Sequence, residues 1–188
     1  MDSAERGFIA SCQRGHLEDF DPLYLQHVDA VYRYLHRRTL QKEVAEDLTS
    51  TVFLKALESI RSFDSTKGVF RAWLYRIARN SLIDFYRSHA QKTVSIENIW
   101  DLASDDVTSL VAERSIDAEK LHEAMKILTS DQREIMMLRV WEGLSYAEIA
   151  EITGKTEGNA KVIFSRAISD LRTKLPSLLL LLLFPHSL

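Results

Sequence analysis

Apolar residues recur at three- and four-residue intervals along nearly the whole chain, and almost nothing interrupts them: six glycines and three prolines in 188 residues. That spacing gathers apolar side chains into a stripe on a helix of 3.6 residues per turn. A sheet protein needs turn residues at short, regular intervals, and this chain lacks them. The pattern predicts an all-α fold.

Five helices and two breaks follow from it. The first helix is expected over about Asp21 to Arg38, with Tyr24, Val28, Val31, Tyr32 and Leu35 on one face. The second runs from about Lys42 to Arg61 through Ala45, Leu48, Val52, Phe53, Leu57 and Ile60. Asp64, Ser65 and Gly68 then make a turn-rich loop. The third, Phe70 to about Ser88, turns Phe70, Leu74, Ile77, Ser81 and Phe85 to the core. Its opposite face, at 100° per residue, collects Arg76, Arg79, Asn80, Ile83 and Arg87. The polar and acidic stretch 93–115 reads as a flexible linker, and a second helical unit opens near Ile116 with Leu121, Met125 and Leu128. Its next helix carries Ile135, Met136, Leu138 and Val140 and stops at Glu142-Gly143.

Charge is distributed unevenly. The net charge is only −3, yet between Lys67 and Lys92 six basic residues (Lys67, Arg71, Arg76, Arg79, Arg87, Lys92) meet one acid, Asp84. From Thr93 to Asp131 nine acids outnumber three bases, and from Lys155 to Lys174 five bases outnumber two acids. Two basic islands flanking an acidic stretch suit two contacts with one polyanion.

The second island carries a specific geometry. Ser145-Tyr-Ala-Glu148 is a capping box opening a helix to Ile152, as Thr129-x-x-Gln132 is for the helix before it. Thr153-Gly-Lys forms a tight turn, Thr156 caps a following helix over about Glu157 to Lys174, and Ala147, Ala150 and Ala160 are small enough for a close crossing. Two short capped helices about a glycine turn make a helix-turn-helix. Ala160, Phe164, Ala167, Ile168 and Leu171 face inward. Thr156, Glu157, Gly158, Asn159, Lys161, Val162, Ser165 and Arg166 then lie at the end and face that enter a major groove.

Chemistry of other kinds is excluded. Cys12 is alone, so neither a disulfide framework nor a multi-cysteine zinc site exists. The six histidines never take a metal-ligand spacing. No nucleophile–base pair or phosphate-binding glycine loop is visible, so no catalytic residue, cofactor, metal or small-molecule substrate is expected. The acidic start Met1-Asp-Ser-Ala-Glu5 is not a signal peptide, and a cytoplasmic protein without membrane insertion is expected.

With these motifs in place, the chain is identified as resembling a family. Leu128 to Val162, through Trp141-Glu-Gly-Leu-Ser-Tyr-Ala-Glu-Ile-Ala150, is similar to region four of bacterial sigma factors. Ala45-Glu-Asp-Leu-Thr-Ser-Thr-Val-Phe-Leu-Lys-Ala-Leu57 resembles the core-polymerase-binding helix of region two, and Phe70 to Arg87 resembles its promoter-melting helix. That order, with a short acidic linker and no third domain between, looks like the extracytoplasmic-function group. The resemblance implies a region-two domain over 1–92, a linker over 93–115, a region-four domain over 116–175 and an apolar tail over 176–188. It implies that Glu46, Asp47, Thr51, Phe53 and Leu54 dock on core RNA polymerase. Phe63, Asp64, Ser65 and Lys67 would receive a flipped base at the minus-ten element, with Arg76, Asn80 and Arg87 along the same strand. The helix-turn-helix would read the minus-thirty-five element. Partners implied are core RNA polymerase, promoter DNA and an anti-sigma factor.

A stand-alone helix-turn-helix regulator is the alternative, using only the C-terminal unit and binding palindromic sites without polymerase. The tail segment Leu178 to Phe184 is seven apolar residues, about 10 Å as a helix, against a ~30 Å hydrocarbon core. It cannot span a membrane; packing over the second unit and docking on a partner both remain open for it.

Overall fold

The computed structural model describes residues 3–89 and 127–174. The linker 93–115, the start of the second unit at Ile116 and the tail 176–188 lie outside them. The described residues form seven α-helices and two short 3-10 turns, with no strand, and divide into an N-terminal and a C-terminal unit.

The N-terminal unit begins with a helix the periodicity did not disclose, α1 (Ser3–Arg14). A 3-10 turn, Leu17–Phe20, leads into α2 (Asp21–Thr39), which carries Pro22 in its first turn. There the missing proline N–H costs nothing and the fixed φ suits the helix. α3 (Lys42–Ser59) ends in a second 3-10 turn, Ile60–Ser62, and α4 (Phe70–His89) follows the loop. α2, α3 and α4 pack on one another, burying Leu23, Val31, Leu35, Ala45, Val52, Ala56, Leu74, Ala78 and Leu82 almost completely. Tyr34 and Tyr75 meet edge to face at 5.2 Å in this core, the geometry their quadrupoles favour.

Two stripes differ from the sequence expectation. On α2 the buried residues are Leu23, His27, Val31, Tyr34, Leu35, Arg38 and Thr39, while Tyr24 is 41 % exposed. The buried face is turned away from Tyr24 because two polar side chains join it with partners: His27 bonds Glu5, and Arg38 donates to the Tyr34 hydroxyl. On α4 Ile83, expected on the basic face, is buried, as are Ala72, Trp73, Tyr75 and Tyr86. The helix is covered on most of its circumference.

In the C-terminal unit, α5 (Ser130–Val140), α6 (Tyr146–Thr153) and α7 (Glu157–Lys174) follow in order. Leu128, Met136 and Met137 pack on Ala167 and Leu171 of α7, with Val140, Trp141, Phe164 and Ile168 at the margin. All three expected caps form. Thr129 Oγ1 accepts from the Gln132 amide N–H, and the Gln132 side chain accepts from the Thr129 N–H. Ser145 and Glu148 reciprocate in the same way, and Thr156 Oγ1 accepts from the Asn159 N–H at 3.2 Å. Gly154, at φ +70°, ends α6, and the Lys155 N–H donates back to the Ala150 carbonyl at 3.2 Å. This is the left-handed stop that glycine permits. Ala160 is buried at the helix crossing, whereas Ala147 faces outward and does not contribute to it.

Candidate nucleic-acid interface

The loop between α3 and α4 is built around Asp64. Its carboxylate accepts from the Thr66 N–H at 3.0 Å and the Thr66 hydroxyl at 2.6 Å, and Lys67 Nζ lies 3.1 Å from its other oxygen. The Lys67 N–H donates to the Asp64 carbonyl at 3.1 Å. The Thr66 hydroxyl and N–H, with the Lys67 ammonium, hold the Asp64 carboxyl down at about 2. An aspartate turning the chain by bonding two residues ahead is the ordinary Asx mechanism. Asp64 is thus engaged inside the loop, while Ser65 and Lys67 are exposed at its rim.

Phe63 is set apart from the exposed residues of the loop. It is buried, its ring centroid 5.6 Å from Phe70 and 5.3 Å from Trp73. Burying an aromatic side chain is worth about 1.5–3 kcal/mol, so the ring forms the floor under the loop and leaves the rim to polar residues. Trp73 packs in the same aromatic layer, 5.5 Å from Phe70.

On α4, Arg76, Asn80, Asp84 and Arg87 are the exposed positions beyond the first turn, with Ser88 at the end. The spacings of four, four and three residues place the first four on one narrow strip. Asp84, the single acid on it, is 3.7 Å from Lys55 of α3, so a neighbouring cation offsets its charge. Lys55 also donates to Ser81 at 3.1 Å. The strip therefore exposes two arginines and an amide on the helix that follows the loop.

On α3, Glu46, Asp47 and Leu54 are exposed and Thr51 is half-buried. Leu54 is 61 % exposed, uncommon for leucine on a well-covered helix. Phe53 is buried instead, its ring 4.8 Å from Tyr24 and 6.5 Å from Phe20. It packs beneath the face that Leu54 presents.

The helix-turn-helix places its residues as expected. Thr156, Glu157, Gly158, Asn159, Lys161, Val162, Ser165 and Arg166 are all exposed, and Ala160, Ala167 and Leu171 are buried behind them. Lys161 Nζ pairs with Glu157 at 2.7 Å, one turn away, and stands 5.7 Å from the Tyr146 ring centroid. Arg139 lies at 4.8 Å from the same ring and donates to the Leu144 carbonyl at 2.7 Å. Sequence reading missed Arg139 and Tyr146, because cation–ring contacts join residues on different helices and leave no periodic signal. Lys155 and Asp131 pair at 2.7 Å and tie the turn to α5.

Among the described residues, no group of three or more histidine, cysteine, aspartate or glutamate side chains is arranged to hold a metal. None of the described helices is long and apolar enough to cross a membrane.

Comparison with known proteins agrees with this geometry. Residues 23–92 match the family model for sigma-70 region 2, and residues 118–171 match that for sigma-70 region 4. The ECF RNA polymerase sigma factor SigM of Bacillus subtilis is 33% identical over 153 residues, which cover 81% of this chain and 92% of that protein. The ECF RNA polymerase sigma factor BldN of Streptomyces coelicolor is 36% identical over 171 residues, 89% of this chain but 64% of the longer relative. Among solved structures, CnrH in complex with the cytosolic domain of CnrY matches with a TM-score of 0.67 at 22% identity, covering 91% of this chain and 96% of that one. The sigma factor RpoE in complex with the anti-sigma factor NepR, from Bartonella quintana, matches with a TM-score of 0.62 at 25% identity, covering 83% and 96%. Two family regions in order, on a fold that exposes a basic strip in one unit and a helix-turn-helix face in the other, settle the question: the chain belongs to the sigma-70 family of RNA polymerase sigma factors, in the extracytoplasmic-function group, and directs transcription initiation.

Proposed function

We propose that the labour of initiation divides between the two units, with 1–92 as the region-two domain, 93–115 as linker, 116–175 as the region-four domain and 176–188 as a tail. In this reading Glu46, Asp47, Thr51 and Leu54 form the docking face for core RNA polymerase, with Phe53 behind it. The loop 63–68 takes a base flipped from the minus-ten element, while Arg76, Asn80 and Arg87 track the strand that carries it. Residues 156–166 of the helix-turn-helix read the minus-thirty-five element in the major groove. Unstacking a base step costs a few kcal/mol, and stacking the freed base on protein returns ~1–3 kcal/mol, so a capture loop followed by a helix with a cationic strip lowers the cost of opening.

One observation carries this reading. The exposed strip of α4, Arg76 to Arg87, lies on the helix that directly follows a loop whose Asp64 is already ordered by Thr66 and Lys67. A duplex reader confined to the C-terminal unit has no use for either feature, and the region-two match argues against that alternative. The protein acts without catalysis of its own and works in the cytoplasm, where polymerase and DNA are. An anti-sigma factor is its expected regulator; the RpoE relative in complex with NepR supports this.

Transcription reconstituted from the full chain and core polymerase tests the division. Altering the minus-thirty-five element should abolish recruitment to duplex DNA yet spare a template already opened at the minus-ten element. Altering the minus-ten element should impair both. Nanomolar binding of the chain alone to a palindromic duplex at physiological salt would instead establish the stand-alone regulator.

A further inference from the structure

The helix that precedes the region-two match is fastened to the loop. Gln13, in the last turn of α1, donates its side-chain amide to the Phe63 carbonyl at 2.7 Å and to the Ile60 carbonyl at 3.0 Å. Both partners are acceptors, so the NH2 group must face them, and its two hydrogens serve one carbonyl each. These carbonyls bracket the 3-10 turn that leads into Asp64, and Phe63 is the buried floor of the loop. α1 is itself held down: Ile9 and Cys12 are buried, and near its start Glu5 bonds His27 at 2.9 Å. The His27 ring lies 5.5 Å from Phe70, which in turn packs on Phe63. The loop is thus gripped from above by a glutamine and from below by the aromatic layer, and the same helix is anchored to both.

We propose that Gln13 is a positioning residue for promoter opening: by holding the Ile60 and Phe63 carbonyls it presets the loop 63–68 in the shape that receives the flipped base. The proposal rests on the base-capturing reading of that loop and adds a determinant outside the matched region 23–92. A turn capped only by its own backbone bond, Phe63 N–H to Ile60 carbonyl at 3.1 Å, samples other conformations. Each added donor narrows that ensemble before the base arrives, which raises affinity without touching the base.

The test uses holoenzyme and a single-stranded oligonucleotide spanning the minus-ten element, intact or with one base at a time removed to an abasic site. Wild type should lose about tenfold in affinity when the captured base is removed. Gln13→Met, of similar shape but with no donor, should bind the intact strand several-fold more weakly and the abasic strand as wild type does, so that the penalty shrinks. Gln13→Lys, which regains donors at similar reach, should restore the penalty. Gln13→Glu, which sets an acceptor against two acceptors, should abolish it. The proposal is overturned if Gln13→Met keeps the wild-type penalty, or if it weakens intact and abasic strands equally, as general loosening of the unit would. A wild-type holoenzyme with no abasic penalty at any position overturns the base-capturing reading itself, and is told apart because the failure then appears before any Gln13 variant is made.

Discussion

Glu5 and His27, 22 positions apart in the chain, meet through a 2.9 Å contact between a carboxylate oxygen and Nε2 with both side chains buried. Their contact pins α1 to α2 through a buried polar pair. Removing the carboxylate leaves the imidazole without its partner in a largely buried site. Glu5→Ala should therefore lower stability by about 1–3 kcal/mol, the cost of an orphaned buried polar group, whereas Glu5→Gln, which retains a bonding oxygen, should cost less. Thermal melts of the full chain, followed by a tyrosine or tryptophan signal from the N-terminal unit, check the order of the two variants.

The same contact shows where the sequence was opaque. Helix spacing, with caps and glycine turns in the second unit, puts α2 to α4 and α5 to α7 close to their observed bounds, and all three caps at Thr129, Ser145 and Thr156 are readable from residue type. α1 was not, since its buried residues are Glu5, Ile9 and Cys12, of which only one is strongly apolar. The buried stripe of α2 differs from the periodic reading because polar side chains join it: His27 finds its partner on another helix, which no one-dimensional pattern encodes, and Arg38 finds one in Tyr34 a turn away. The candidate site divides likewise. Exposed residues at Arg76, Asn80 and Arg87 and along 156–166 follow from periodicity, but Phe53 and Phe63 were assigned to contact surfaces because a motif carries them, and tertiary packing buries both. A motif fixes which residues matter near a surface, not which of them reach it.

Arg76 and Arg87 share the exposed strip of α4 with Asn80. On the proposed reading their charges follow a strand that has left the duplex, so Arg76→Ala with Arg87→Ala should reduce open-complex formation on duplex promoters by about tenfold or more, two phosphate or base contacts being worth roughly 1 kcal/mol or more each. A template already melted at the minus-ten element should recover part of the loss. Permanganate footprints measure the opening; unchanged reactivity would show that the strip is merely solvated.

On α7, Asn159 and Arg166 are both exposed, but one is an amide near the helix start and the other a cation two turns on. Asn159→Ala should cost ~1–3 kcal/mol at one base pair and relax selection there. Arg166→Ala should weaken all promoters alike and reduce the salt slope of binding by about 0.9. Promoter libraries selected with each variant holoenzyme, together with a salt titration, separate the two behaviours; the reverse pattern would exchange the assignments.

Gly158 offers a case where stability and recognition are expected to part. It lies in the first turn of α7, at ordinary helical φ, and an added Cβ would meet nothing within 4 Å. Gly158→Ala should stabilise the C-terminal unit by up to roughly 0.5–1 kcal/mol, since glycine is the costlier residue inside a helix. The new methyl would stand among Glu157, Asn159 and Lys161 on the face assigned to the groove. Recruitment to duplex promoters should fall several-fold while the melting temperature holds or rises. A rise in both would show that the backbone does not approach DNA closely at this point.

Asp64 gives the last expectation, because its carboxylate organises the loop without reaching outward. Its carboxyl is held at about 2, below the usual 3.8, first by the Thr66 hydroxyl and N–H and then by Lys67. A depressed value means that the ionised form is favoured by folding, so its contribution is complete above the ordinary aspartate range and is lost as pH falls from 3.8 toward 2. Promoter opening should accordingly show no pH dependence from this residue at neutral or mildly acidic pH. Asp64→Asn keeps an oxygen that can accept from Thr66 and loses only the attraction for Lys67; at this exposed site that attraction is heavily screened, and opening should fall by less than about twofold. Asp64→Ala removes the acceptor that turns the chain, and opening should fall several-fold while recruitment through the helix-turn-helix is retained. Equal losses in the two variants would mean that charge, not the Asx turn, is what the loop requires, and opening assays on duplex and pre-melted templates distinguish them directly.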